Sequence, residues 1–240
     1  VSNTDWKFIE RILGDAHSRV IFLSGKPGTG KTFTAMRSGL GDRNVYSVTL
    51  TPETPGAELR GFWMPKGMEF VWQDGVFVKA MREGARVVIN EIAHASHDVL
   101  ALLYPVLESR ETAALTLPST ETIVPAPGFQ VICTDNVSIE YLPDALRDRF
   151  DCVLEINDIH PNAIARLDEK FRKPCLRAAD LEGSRRVSIR GWNKVQEFEQ
   201  SMGLEDAFSA VFGTDQGHHL YTATMLATEE DADTASGDET

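Results

Sequence analysis

The densest chemistry in this chain lies in eight residues, Gly25-Lys26-Pro27-Gly28-Thr29-Gly30-Lys31-Thr32. The spacing G-x-x-x-x-G-K-[ST] suits a loop that wraps phosphate groups. Gly25, Gly28 and Gly30 lack a Cβ, so the backbone can turn tightly and bring its N–H groups to an anion. Lys31 supplies a point charge for β- and γ-phosphates, and the Thr32 hydroxyl a ligand for Mg²⁺. With Lys26, Pro27, Thr29 and the following Phe33, these residues form the candidate nucleotide-binding set. A second signal is the apolar run Ala85-Arg86-Val87-Val88-Ile89, which ends in Asn90-Glu91. A carboxylate at the tip of a buried strand is where a nucleotide hydrolase holds the base for its attacking water, so Glu91 is the candidate base.

These residues need a scaffold, and the flanking patterns describe one. Arg19–Leu23 is a short apolar run suited to a buried strand, and Lys31–Arg37 can start a helix whose N-terminus faces the phosphates. A helix is expected over Thr4–Leu13, with Thr4 as its N-cap. Further strands are expected at Val45–Leu50, Phe129–Cys133 and Cys152–Ile156, and helices at Val76–Arg82, Ser96–Glu108 and Leu142–Phe150. Glu58–Trp72 reads as a β-hairpin turning at Pro65-Lys66-Gly67, and Ala114–Val124 as a second hairpin. Trp63, Phe70 and Trp72 either grip a substrate or hold the first hairpin together. Strands alternating with helices imply an α/β sheet over residues 1–157. From residue 158 the pattern turns helical, with helices opening at Pro161, running Val187–Met202 and Leu204–Phe212, which defines a lid over 158–227. Residues 228–240 are acidic, lack an apolar period and are expected to be disordered.

The chain has 240 residues with a net charge of −12, which argues against wholesale binding to a nucleic-acid backbone. No apolar run approaches a membrane span, and the N-terminus has no secretory h-region. Cys133, Cys152 and Cys175 are widely spaced without a C-x-x-C pair, as expected of reduced thiols in a cytoplasmic protein. The chain opens on Val1 in place of Met, as a trimmed or alternatively started chain would. His218-His219 and the pair His94 and His97 lack a third ligand, so metal sites are not assigned to them.

Taken in order, these features resemble an AAA+ ATPase of the MoxR-like branch, with its insert in helix 2. Gly25–Thr32 matches Walker A, Glu58–Trp72 the insert, Ala114–Val124 the hairpin before sensor 1, and Trp72–Phe77 with Gly84–Ala95 the run from a Gly-containing turn into Walker B. Asn136 falls at sensor 1, Arg149 at the arginine finger with Arg147 as the alternative, and Arg190 at sensor 2. The resemblance implies a parallel five-stranded sheet in the order 5-1-4-3-2 and use of ATP with Mg²⁺. It also implies a homo-oligomeric ring, a hexamer by family habit, and a protein client, with a von Willebrand A domain as the candidate. Relatives end Walker B in Asp-Glu, whereas this chain has Asn90-Glu91, so weaker Mg²⁺ binding is expected. His94 stands where relatives often carry Arg or Lys. Two alternatives follow: a non-hydrolysing nucleotide sensor or scaffold, suggested by Asn90, and a nucleic-acid motor akin to GTP-using restriction translocases.

Overall fold

Five strands carry the site: β1 (Val20–Ser24), β2 (Val45–Thr49), β5 (Arg86–Asn90), β8 (Gln130–Thr134) and β9 (Cys152–Glu155). They form one sheet in the order β2-β5-β8-β1-β9, all neighbours parallel. Counted along the chain as strands one to five, this is the expected 5-1-4-3-2 order. The computed structural model describes residues 4–181 and 187–237. The three inner strands, β1, β5 and β8, are buried along their whole length, as a parallel sheet covered on both faces requires. Alternation sorts their side chains. Val20, Phe22, Val87, Ile89, Val131 and Cys133 enter one core, while Ile21, Leu23, Val88 and Ile132 enter the other. Burial pushes the Cys133 thiol well above its ordinary range, which keeps it an inert, apolar filler.

On one face lies α1 (Trp6–Gly14), whose Ile9 and Leu13 are buried. Asp5 is its N-cap, accepting from the Phe8 N–H at 3.0 Å, and not Thr4 as the sequence suggested. A carboxylate at that position also meets the positive end of the helix dipole. α2 (Lys31–Arg37) follows the phosphate loop. The opposite face carries α4 (Val76–Glu83) and α5 (His97–Leu107), which bury Phe77, Val78, Met81, Val99, Leu103 and Val106. Gly84 ends α4 in the left-handed region, at φ +66°, and a Cβ there would lie 2.1 Å from the Pro127 carbonyl oxygen. Only glycine fits that position.

Two hairpins leave the sheet. After α3 (Gly56–Arg60) come β3 (Gly61–Lys66) and β4 (Glu69–Asp74), an antiparallel pair. The register pairs Lys66 with Glu69, so the turn is Gly67-Met68, with Gly67 at φ +65°, and not Pro65-Lys66-Gly67. Pro65 lies within the two-stranded ribbon opposite Phe70, where a missing N–H is tolerated. The second hairpin is short, β6 (Leu115–Thr116) with β7 (Thr122–Ile123). Arg82 joins the two, binding Glu121 with both terminal nitrogens at 2.8 Å and Asp74 through Nε at 3.0 Å. α6 is confined to Asp144–Arg147, shorter than the Leu142–Phe150 expected. Pro143 sets its start, since proline suits the approach to a first helical turn and not its interior.

The chain divides into two compact units, residues 1–26 with 31–156, and 27–30 with 157–240. The expected division put all of 1–157 in the first, whereas the crest of the phosphate loop groups with the second. That second unit contains α7 (Pro161–Ala165), α8 (Glu169–Ala179), α9 (Ile189–Met202), α10 (Leu204–Phe212) and α11 (Thr214–Gly237). Its core is aromatic. Trp192 packs edge-on against Phe208 with ring centroids 5.5 Å apart, and Phe171 and Phe212 complete the cluster. Cys175 is buried beside them and its thiol is pushed up to about 12. Residues 228–237, expected to be disordered, continue α11 as helix. They contain no proline, and extending an existing helix avoids the nucleation cost. Residues 238–240 of that expectation lie outside the described residues. Among the described residues, no helix is long and apolar enough to cross a membrane.

Candidate functional site

The phosphate loop begins where β1 ends. Gly25 has φ +128°, and a Cβ on it would stand 2.0 Å from the Ile156 carbonyl oxygen, so any side chain would push β1 and the segment after β9 apart. Lys31 is nearly buried, at 7% exposure. Its ammonium donates to Gly25 O at 2.7 Å, Lys26 O at 2.8 Å and Asn136 Oδ1 at 2.9 Å. These contacts hold the ammonium at the loop, beside Asn136. In the second unit, Thr29 accepts from the His160 N–H at 3.1 Å, and Gly30 abuts the His160 side chain. His160 is buried and its Nδ1 accepts from Asn162 N, so it serves as the N-cap of α7. Sequence reading did not single it out. Gly28 lies against Ser188, where a Cβ would approach to 2.5 Å.

Asn90 is the node of the metal-site candidates. Its Oδ1 accepts from the Thr32 hydroxyl at 2.7 Å and from the Thr134 hydroxyl at 3.0 Å. Its Nδ2 donates to Ser47 Oγ at 3.1 Å and Val48 O at 3.3 Å. The oxygen therefore faces Thr32, the side an aspartate would present, and the amide hydrogens are turned toward β2. The donor set of a hydroxyl and an amide oxygen suits a hard cation such as Mg²⁺ in kind, but it lacks the charge of a carboxylate.

One residue further on, Glu91 adopts φ 58° and ψ 49°, a left-handed conformation unusual for a residue with a side chain. Such a conformation costs on the order of 1–2 kcal/mol and marks a position overdetermined by its surroundings. Its N–H still bonds Thr134 O at 2.8 Å, so the kink begins just past the ladder. The kink turns the carboxylate toward Asn136, whose Nδ2 donates to Glu91 Oε1 at 3.3 Å. Asn136 thereby touches both Lys31 and Glu91. Asp135 holds the two loops in place. It is buried at 2% exposure, its Oδ1 accepting from Asn136 N at 2.7 Å and Val137 N at 3.1 Å, its Oδ2 from Ala93 N at 2.8 Å. Sequence reading missed it; the clue was a carboxylate between Thr134 and Asn136 at a strand end.

The other candidates stand apart from this cluster. Arg149 folds back on its own chain. Its guanidinium lies over the Tyr104 ring at 5.0 Å, donates to Tyr104 O at 3.3 Å and pairs with Glu108. Arg147 pairs with Asp144. Arg190 is exposed in the first turn of α9, within the second unit. Phe33 is exposed, with the Arg37 guanidinium 5.0 Å from its ring centroid. His94 ends a single 3₁₀ turn and His97 starts α5, both exposed. No group of three or more potential metal ligands of the His, Cys, Asp or Glu type occurs among the described residues.

Comparison with known proteins places this geometry. The profile of the AAA domain (dynein-related subfamily) matches residues 20–150, from β1 through the turn before β9. The chain belongs to this AAA family. It is similar to the protein NorQ of Paracoccus denitrificans, with 32% identity over 221 residues, 88% of this chain and 79% of that one. It is also 33% identical over 141 residues to midasin of Dictyostelium discoideum, covering 55% of this chain but 2% of midasin, so that likeness is to one domain of a far longer protein. Among solved structures, a crystal structure of a candidate ATPase from Cytophaga hutchinsonii superposes with a TM-score of 0.51 at 17% identity, covering 89% of this chain and 77% of that one. At that identity the likeness speaks for the fold. Within the AAA domain, Lys31, Thr32, Asn90, Glu91 and Asn136 all stand at the C-terminal edge of the sheet, where open α/β sheets bind their ligands.

Proposed function

We propose that this AAA protein binds and hydrolyses ATP as a homo-oligomeric ring of MoxR type and remodels or activates a protein partner. The observation that carries the reading is the Lys31–Asn136–Glu91 chain of contacts at the end of the sheet, a fixed cation and a fixed carboxylate joined through one amide. Phosphoryl transfer asks a protein for alignment and charge neutralisation more than for covalent chemistry. Lys31 and the backbone N–H groups of residues 25–32 hold the phosphates. Glu91 accepts a proton from the attacking water, and Asn136 orients Glu91. Thr32 and Asn90 would hold Mg²⁺, which supplies positive charge to the triphosphate when bound. Arg149 completes the site of the next subunit after leaving Glu108, and Arg190 senses the γ-phosphate.

A protein partner is favoured over nucleic acid by two features. The net charge is −12, and the β3–β4 hairpin displays Trp63, Met64, Met68 and Phe70 to solvent, with Phe70 at 70% exposure. The partner class suggested by the MoxR resemblance carries a von Willebrand A domain, a ring of six subunits is the expected assembly, and the cytoplasm is the expected compartment. Steady-state ATP turnover with Mg²⁺, measured across protein concentration beside a Glu91→Gln control, tests the core of the reading. Turnover that rises cooperatively and vanishes in the control supports it. Wild-type turnover at the control's level, with nucleotide still bound, would instead make the chain a nucleotide sensor, the reading that Asn90 favours.

A further inference from the structure

The end of the sheet opposite the phosphate loop gathers arginines. Arg86, the first residue of β5, is fully buried, and among the described residues it pairs with no carboxylate. Its guanidinium donates instead to carbonyls at the ends of α1 and α2: Leu13 O at 2.8 Å, Ala35 O at 2.8 Å, Ser38 O at 2.7 Å and Gly39 O at 3.1 Å. Arg43 stands directly beside it. Both guanidinium groups donate to Gln130 Oε1, at 2.7 Å from Arg86 and 3.4 Å from Arg43, and both donate to Gly39 O. Two cations thus share two neutral acceptors. Burial and the charge of Arg43 lower the Arg86 pKa to about 10, the direction expected of a cation short of counter-charge.

Next to this pair lies a cavity of about 370 Å³, lined by Arg19, Arg43 and Arg110 together with Asp15, Asp42 and Gln130. Arg19 is 6% exposed, and among the described residues neither it nor Arg43 nor Arg110 forms a salt bridge. Asp42 lines the cavity as well, and Glu111 lies close enough to Arg110 and Arg19 to interact with their charges, whereas the other nearby acids have partners of their own. Asp15 binds the backbone N–H and ring of His17, Asp151 accepts from Arg19 N and Val20 N, and Glu108 pairs with Arg149. Arg19 and Arg110 also line an adjoining cavity of about 200 Å³. Guanidinium forks converging on a cavity match the oxygens of a phosphate or a carboxylate, and partial burial strengthens that match.

We propose that this cavity binds a phosphate-class oxyanion, either inorganic phosphate or a phosphomonoester, at the edge of the sheet remote from the nucleotide. The three lining arginines outnumber the two lining aspartates, and the cavity has room for an anion with more oxygens than a single carboxylate. Arg110 provides the accessible charge. Arg43, which also donates to Leu40 O at 3.0 Å and Gly128 O at 3.2 Å, lines the same cavity with Arg19, and Arg86 lies buried beside Arg43 outside the lining.

Isothermal titration of the full chain with inorganic phosphate and, separately, with glycerol 3-phosphate tests the site. Titration uses the Lys31→Ala background, which weakens phosphate binding at the nucleotide loop. Saturable binding is expected, weakened at least tenfold by either Arg110→Ala or Arg43→Ala and weakened further by added salt. Arg110 is exposed and, among the described residues, donates to Ala16 O alone, at 2.6 Å, so Arg110→Ala should fold. Tighter binding of the ester than of phosphate identifies an esterified ligand; the reverse identifies the free ion. Absence of saturable binding of both probes, or binding unchanged in both arginine variants of confirmed folding, overturns the proposal.

Discussion

Asn90 shows how one atom changes the character of a site without changing its shape. Its oxygen already accepts from Thr32, and its amide group is satisfied by Ser47 and Val48. Asn90→Asp would keep the acceptor toward Thr32, and the Ser47 hydroxyl can reverse its role to donate. Val48 O would lose its side-chain donor, a modest cost against the new charge. The attraction between that charge and a dication is several kcal/mol before desolvation, of which ~1.4 kcal/mol surviving gives about a tenfold change. The Mg²⁺ concentration for half-maximal turnover should therefore fall about tenfold in Asn90→Asp, read by titrating the ATPase rate with Mg²⁺. Asp135 makes the complementary case. Removing it in Asp135→Ala leaves the N–H groups of Ala93, Asn136 and Val137 without their carboxylate, which should cost roughly 1–3 kcal/mol of stability. It should also lower kcat about tenfold while nucleotide affinity stays within about twofold, because Asp135 positions the Glu91 and Asn136 loops and does not contact phosphate. Denaturant unfolding and nucleotide titration together separate these effects.

At the scale of elements, legibility followed locality. The inner strands announced themselves as apolar runs because both of their faces are buried, and the phosphate loop because glycine, lysine and threonine spacing is nearly unique to it. α8 was missed: Pro174 interrupts its pattern, and Lys170, Arg172, Lys173 and Arg177 dilute it, yet Phe171, Cys175 and Ala178 still face the core. The turn of the first hairpin was misplaced because Pro65 is a stronger turn signal than Gly67, although cross-strand pairing of Trp63 with Trp72, ring centroids 5.4 Å apart, sets the register. Gln130 and Arg86 are 44 residues apart and meet only because β5 and β8 pair in parallel, so their cluster had no local signature. The hairpin itself invites a test. Trp63 and Trp72 hold the ribbon, whereas Met68 and Phe70 stand free at and beside its tip. A Met68→Ser, Phe70→Ser double variant should keep basal ATP turnover within about twofold. It should lose most stimulation by a protein partner, since large exposed apolar groups dominate such contacts. Equal stimulation in the variant would assign the hairpin a purely structural role.

Across the whole molecule, the decisive question is where the arginine that completes each site comes from. In the single chain Arg149 is committed to Tyr104 and Glu108, distant in role from Lys31 and Glu91, which touch one another through Asn136. On the proposed reading, each site takes its finger arginine from the neighbouring subunit, as a head-to-tail ring allows. Two defective chains then become informative together. Glu91→Gln keeps the finger but loses the base, and Arg149→Ala keeps the base but loses the finger, so each homogeneous ring should fall by about 10²-fold or more. Random mixing at equal amounts places an intact base beside an intact finger at about a quarter of the interfaces, so turnover should recover toward that fraction of wild type. Recovery on mixing, absent from either variant alone and lost on dilution below the assembly concentration, requires the arginine to act between subunits. If the Arg149→Ala chain alone turns over at the wild-type rate, Arg149 is a packing residue on Tyr104. The same mixing with Arg147→Ala then decides whether that arginine supplies the charge.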